Sequence, residues 1–148
     1  MINNEFKLDG YTIVRSELFT SIQEPVLTFN NNQLYINKVC HNELNNSHYI
    51  KILQSEDNTS IAILPCDKNS FQAISVLTPR NKLRKMSCKK FFKSIIDTLQ
   101  WDNHLRYRIK GTVCSKDDLT YIVFDLLTAE KYVRGSIKKK EGVIKNEQ

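Results

Sequence analysis

Three histidines and four cysteines are the side chains of this 148-residue chain best suited to metal or nucleophilic chemistry. His41, His48 and His104 are too few and too scattered to surround a metal ion. Cys40, Cys66, Cys88 and Cys114 contain no CxxC spacing, which leaves a zinc knuckle unsupported. Cys40 and His41 are neighbours on an expected helix and point about 100° apart, so they do not form a nucleophile–base dyad. The separations Cys40–Cys66 and Cys88–Cys114 are equal, but the two pairs fall at unlike places in the expected elements. Four free thiols are therefore expected. Glu56-Asp57 and Asp117-Asp118 lie in hairpin turns, where acids are common for local hydrogen bonding. The only glycines are Gly10, Gly111, Gly135 and Gly142, too dispersed for a phosphate-cradling loop. No catalytic residue, metal ligand or cofactor is assigned, and the expectation is a protein that is not an enzyme.

Basic residues offer the remaining chemistry. The net charge is +6, but residues 1–79 carry −3, residues 80–110 carry +8, residues 111–130 carry −3 and residues 131–148 carry +4. Concentrated positive charge of this kind suits a polyanion. Arg80, Lys82, Arg84 and Lys85 cluster on one hairpin, and Lys89, Lys90 and Lys93 begin the helix after it. Arg106, Arg108 and Lys110 alternate on a strand, so all three leave the same sheet face while Tyr107 and Ile109 turn inward. Three like charges in a row repel unless they are solvated or meet phosphates. Phosphate contacts would supply affinity and salt dependence with little sequence discrimination. A purely solvated lysine surface is the competing reading.

These residues need a scaffold, and the chain describes one by repeating itself. Its length suits one ordinary domain, and 41% hydrophobic with 26% charged residues suits a globular core. No apolar run approaches the roughly 20 residues of a membrane span, and residues 1–10 lack an apolar signal core. The expected location is the cytoplasm. Residues 25–65 read as strands 26–29 and 34–36, a short helix 37–44, and strands 49–53 and 60–64. Residues 70–127 repeat that order as strands 71–77 and 83–86, a helix 88–99, and strands 106–113 and 119–126. Asn37 and Ser87 are the expected helix caps. Asn30-Asn31-Asn32 and Thr78-Pro79-Arg80-Asn81-Lys82 are expected turns, since Asn tolerates left-handed backbone and Pro presets a turn angle. Phe91, Phe92, Ile95, Ile96 and Leu99 form one apolar helical stripe.

Residues 1–24 read as an ordered arm on the body, and residues 129–134 as a short helix. Residues 1–134 are then a single globular domain, and 135–148, with Lys138-Lys139-Lys140, a basic disordered tail. The fold class expected is α+β, mostly β: a single-chain tandem of two β-β-α-β-β halves in a swapped-hairpin-like barrel with a pseudo-two-fold axis.

The layout of residues 27–65 resembles the half-barrel of AbrB-like transition-state regulators, in which two copies interleave, usually as a DNA-binding dimer. Ile36-Asn37 stands where that family has Leu-Pro, and Ser47-His48 where it has Gly-Asp. The first half also lacks the family's DNA-facing arginines and carries only Lys38 and Lys51 in that region. A second similarity covers almost the whole chain. Glu24-Pro25-Val26-Leu27-Thr28-Phe29-Asn30-Asn31, Ile61-Ala62-Ile63-Leu64-Pro65-Cys66, Ser87-Cys88-Lys89-Lys90-Phe91-Phe92, residues 101–111 and Ile122-Val123-Phe124-Asp125-Leu126 look like a family of small proteins from conjugative or integrative elements of Firmicute bacteria. That resemblance implies a mobile-element setting. Some members carry integrase-type labels, whereas neither a tyrosine- nor a serine-recombinase constellation can be assembled from this chain.

The function expected is a non-enzymatic nucleic-acid-binding or regulatory protein of a mobile element, with double-stranded DNA as partner and no membrane. The alternative is a protein-interaction or structural accessory factor that partners another protein of the element and holds no DNA.

Overall fold

The structure is a computed structural model and describes residues 8–14 and 24–133. The expected basic tail and most of the expected arm lie outside the described residues. Leu8, Tyr11, Ile13 and Val14 of the arm are exposed.

The elements, in order, are β1 (Val26–Asn30), β2 (Gln33–Ile36), α1 (Lys38–Glu43), β3 (Tyr49–Gln54), β4 (Ser60–Cys66), β5 (Ile74–Ser75), β6 (Met86–Ser87), α2 (Lys89–Leu99), β7 (Leu105–Lys116), β8 (Leu119–Asp125) and β9 (Glu130–Val133). The fold is α+β and mostly β. The strands run β5-β3-β4-β8-β7-β1-β2-β6 in one curled, antiparallel half-barrel sheet, and β9 pairs with β7. No helix among the described residues is long and apolar enough to cross a membrane.

Local chemistry sets each reversal. Asn31 and Asn32 both take positive φ, 54° and 63°, giving the tight hairpin between β1 and β2. Between β3 and β4, Asp57 Oδ1 accepts bonds from the Ser55 hydroxyl and from the Thr59 hydroxyl and amide. Those donors, Ser55 first, hold the Asp57 carboxyl below its ordinary value. Asn37 caps α1 by accepting from the Cys40 amide at 3.0 Å. The same Oδ1 accepts from the Val26 amide at 3.0 Å, and Nδ2 donates to the Glu24 carbonyl at 2.9 Å. One side chain thus ties the start of α1 to the start of β1.

The core lies inside the curl. Leu27, Phe29, Leu34, Ile50, Ile61, Ile63, Ile109, Ile122 and Phe124 face it from the strands, Cys40 and Leu44 from the α1 region, and Phe92 and Ile95 from α2. Phe29 stacks on Phe92 with centroids 5.2 Å apart, and Trp101 lies on Tyr107 with centroids 4.0 Å and planes 5° apart. Each fully buried side chain of this size contributes roughly 1.5–3 kcal/mol. The Tyr107 hydroxyl accepts from the Asp102 amide at 2.6 Å, and burial raises the phenol above its ordinary value.

β7 belongs to both flanks of the sheet. Tyr107–Lys110 pair with β1, and Leu105–Arg108 pair with β9 on the other edge. From Gly111 onward the partner is β8.

Three expectations are corrected. Strand 71–77 shrinks to Ile74–Ser75 with a single Leu77–Leu83 bridge, because residues 67–73 fold into turns: Ser70 and Ala73 donate back three residues, and Gln72 takes φ 59°. The helix expected at 129–134 is β9, captured by the open edge of β7. The cap of α2 is Cys88 and not Ser87, and it makes no side-chain capping bond.

Candidate nucleic-acid interface

The basic set divides according to strand alternation. Leu105, Tyr107 and Ile109 are buried, which sends Arg106, Arg108 and Lys110 to the outer face of β7. Register then carries that face across the sheet. Arg108 is paired with Glu130 on one side and Thr28 on the other, Thr28 with Tyr35, and Lys85 follows because its neighbour Met86 pairs with Leu34. Glu130, Arg108, Thr28, Tyr35 and Lys85 therefore form one cross-strand row. The neighbouring row includes Tyr132 opposite Arg106. At about 4.8 Å per strand, Arg108 and Lys85 stand roughly 14 Å apart.

Two tyrosines hold the cations of these two rows. Lys85 Nζ lies 5.0 Å from the Tyr35 ring centroid. The guanidinium carbons of Arg106 and Arg108 lie 5.1 and 5.7 Å from the Tyr132 centroid. Tyr132 in turn donates its hydroxyl proton to Glu130 Oε1 at 2.9 Å. Exposed cation–π contacts are worth about 0.5–1 kcal/mol each, enough to order the long side chains while leaving their charge. Lys110 Nζ meets Glu24 Oε1 at 3.5 Å, and both are well exposed, so the pair is weak and screened.

From Lys85 the chain passes through β6 directly into α2. Lys89, Lys90 and Lys93 are exposed in its first turns, where no acid is present. Cations at a helix N-terminus oppose the macrodipole. Lys93 is offset by Asp97 at 3.3 Å. Arg80 and Lys82 are exposed on the turn between β5 and β6, whose shape is set by Thr78 Oγ1 accepting from both of their amides at 3.2 Å. Arg84 parts from the group. It alternates with Lys85, lines a cleft on the other side, and its Nε donates to the Ser75 carbonyl at 2.8 Å.

The structure thus gathers Lys85, Arg106, Arg108 and Lys110 on one face and turns Arg84 away from it, while Lys89 and Lys90 are exposed at the start of α2, a helix that packs on the inner side of the sheet through Phe92. Sequence reasoning missed Tyr35 and Tyr132. Tyr35 was legible, lying outward between the inward Leu34 and Ile36. Tyr132 was hidden by the helix expected there.

Cys40 and His41 are buried, and Cys88 is half-buried at the start of α2. Burial, followed by the nearby Glu43 charge, pushes the Cys40 thiol up to about 12. Burial pushes the Cys88 thiol up to about 11. His41 Nε2 donates to the Ser47 carbonyl at 2.8 Å, which fixes its tautomer. Among the described residues no group of three or more His, Cys, Asp or Glu is placed to hold a metal ion. Compared with protein-family models, with curated proteins and with solved structures, the chain matches none.

Proposed function

We propose that the chain is a tandem of two swapped-hairpin halves, and that it is a non-enzymatic nucleic-acid-binding protein contacting phosphates through its outer basic face. The tandem reading is supported by strand pairing. Exchanging β1, β2, β3 and β4 with β5, β6, β7 and β8 turns β3–β4 into β7–β8 and β1–β7 into β5–β3. It turns β1–β2 into the Leu77–Leu83 bridge, and it returns β4–β8 and β2–β6 to themselves.

The binding reading is carried by the Arg108–Thr28–Tyr35–Lys85 row. Two basic clusters far apart in the chain share one face there. Their roughly 14 Å span is close to the width of a B-DNA major groove, about 12 Å, so the two ends suit phosphates on both of its walls. Tyrosine-held cations are donors that phosphates favour. The mobile-element setting follows from the sequence resemblance alone, and is tested by whether the chain is produced when such an element excises or transfers. A duplex mobility shift at low salt tests the binding. The full chain should retard the duplex, and the double variant Lys85→Glu, Arg108→Glu should not. Absence of a shift at low salt, or an unchanged shift in the variant, overturns it.

A second reading, a protein-interaction factor, is favoured by the opposite flank. Leu53, Ala62 and Val123 form one outward row on β3, β4 and β8, and Leu64 and Tyr121 flank it. Leu53 is 46% exposed. Loss of partner binding in Leu53→Lys with duplex binding retained would favour this reading.

A further inference from the structure

The two ends of the strand order, β5 and β6, face each other across a cleft of about 720 Å³. This lies within the roughly 300–1,000 Å³ of small-molecule sites. Its apolar lining comes from five elements, Ile52 of β3, Ile74 of β5, Leu34 of β2, Met86 of β6 and Phe91 of α2, and Gln72 and Ser87 add polar groups. Among the described residues, Arg84 is the one charged residue lining it. It is half-buried, and Nε is held by the Ser75 carbonyl at 2.8 Å, so the guanidinium plane is fixed before any ligand arrives. Among the described residues no carboxylate pairs with it. A desolvated guanidinium gains most from an anion that its planar fork can grip through two donors. An oriented fork also loses little side-chain entropy on binding.

We propose that this cleft binds a small amphipathic carboxylate, with the head group on Arg84 and an aliphatic or aromatic body along Leu34, Ile52, Ile74, Met86 and Phe91. The charge supplies the choice of head group and the walls supply the choice of body. The inward turn of Arg84 separates it from the phosphate-contacting residues and gives it this role, which stands independently of duplex binding.

Titration of the isotopically labelled full chain with decanoate, and separately with decanol, followed by amide NMR, tests the site. Decanoate should saturate below millimolar concentration, at least tenfold tighter than decanol, with the largest shifts at residues 74–76 and 84–91. Arg84→Gln should bring decanoate down to the decanol affinity and leave decanol unchanged. Arg84→Lys, which keeps the charge and loses the fork, should lie between them. Equal affinity for the two ligands in the unaltered chain overturns the proposal, without any need for a variant to fold. So does an absence of saturable decanoate binding, or shifts confined to the outer sheet face. The same samples, run against duplex DNA, keep failure here distinct from failure of nucleic-acid binding.

Discussion

Gly111 and Phe124 stand directly opposite each other on β7 and β8, and the Phe124 ring occupies the space a β-carbon on residue 111 would need. Such a carbon would lie 2.6 Å from Phe124 Cε2 and 2.5 Å from Ile122 Cγ2. Residue 111 is also where β7 exchanges β1 for β8. The glycine therefore permits a close crossing between the two flanks of the sheet.

Gly111→Ala should lower stability by about 1–3 kcal/mol in urea denaturation, the usual cost of overfilling a packed core. Removing a glycine normally returns about 0.4–1 kcal/mol by restricting the unfolded chain, so the clash decides the sign. Adding Phe124→Leu should recover part of the loss. A neutral or stabilising Gly111→Ala would disprove the close crossing.

Asn37→Ala should cost about 2 kcal/mol. A lost cap is worth about 1 kcal/mol, and the Val26 amide loses its acceptor at the same time. Asn37→Asp keeps the acceptor and should cost less, since it gives up only the Nδ2 bond to Glu24. Equal melting temperatures for the two variants would show that the acceptor is not the important group.

Cys40 predicts an alkaline weakness. The folded thiol keeps its proton to about pH 12, whereas the unfolded one releases it near 9.0. Between those values the folded state binds more protons, so stability falls as pH rises, by about 1.4 kcal/mol per unit from this group. Stability from this source is fully present below pH 9. Cys40→Ala should flatten the slope between pH 9 and 11 in urea titrations, and parallel slopes for variant and parent would rule the thiol out.

The outer face predicts a salt signature. If Arg106, Arg108, Lys85 and Lys110 each neutralise a phosphate, log affinity should fall against log salt with a slope of about −0.9 per contact. Arg108→Gln should reduce the slope by about one contact and weaken all duplex sequences alike. A variant that changes sequence preference at constant slope would point instead to base contacts.

Local pattern made some of this legible and long-range pairing hid the rest. The inward Tyr107 and Ile109 follow from alternation alone, and the buried Phe92 and Ile95 follow from helical spacing. The mostly-β class with two helices was legible for the same reason, since it rests on turns and periods a few residues long. β9 was not, because Glu130–Val133 becomes a strand only through the edge β7 offers. Phe71, 80% exposed, misled in the other direction: its β-forming character is overridden by turns that use the backbone donors around it. The basic face was half legible. Arg106, Arg108 and Lys110 share a side by local rule, but Lys85 joins them only through the register of four strands. The same alternation sends Arg84 away, a split that a count of charges along the chain does not reveal.

The double membership of β7 also fixes when the molecule can become itself. Phe29 is paired with Tyr107, 78 positions later in the chain. At a synthesis rate of about 5–20 residues per second, β1 waits roughly 4–16 seconds on the ribosome for its neighbour. Throughout that wait β1 and β2 are a bare hairpin with an open edge, marginal in isolation and a template for the same segment of another nascent chain. The edge that β7 later covers is thus open to pairing with other chains for as long as β7 is unmade.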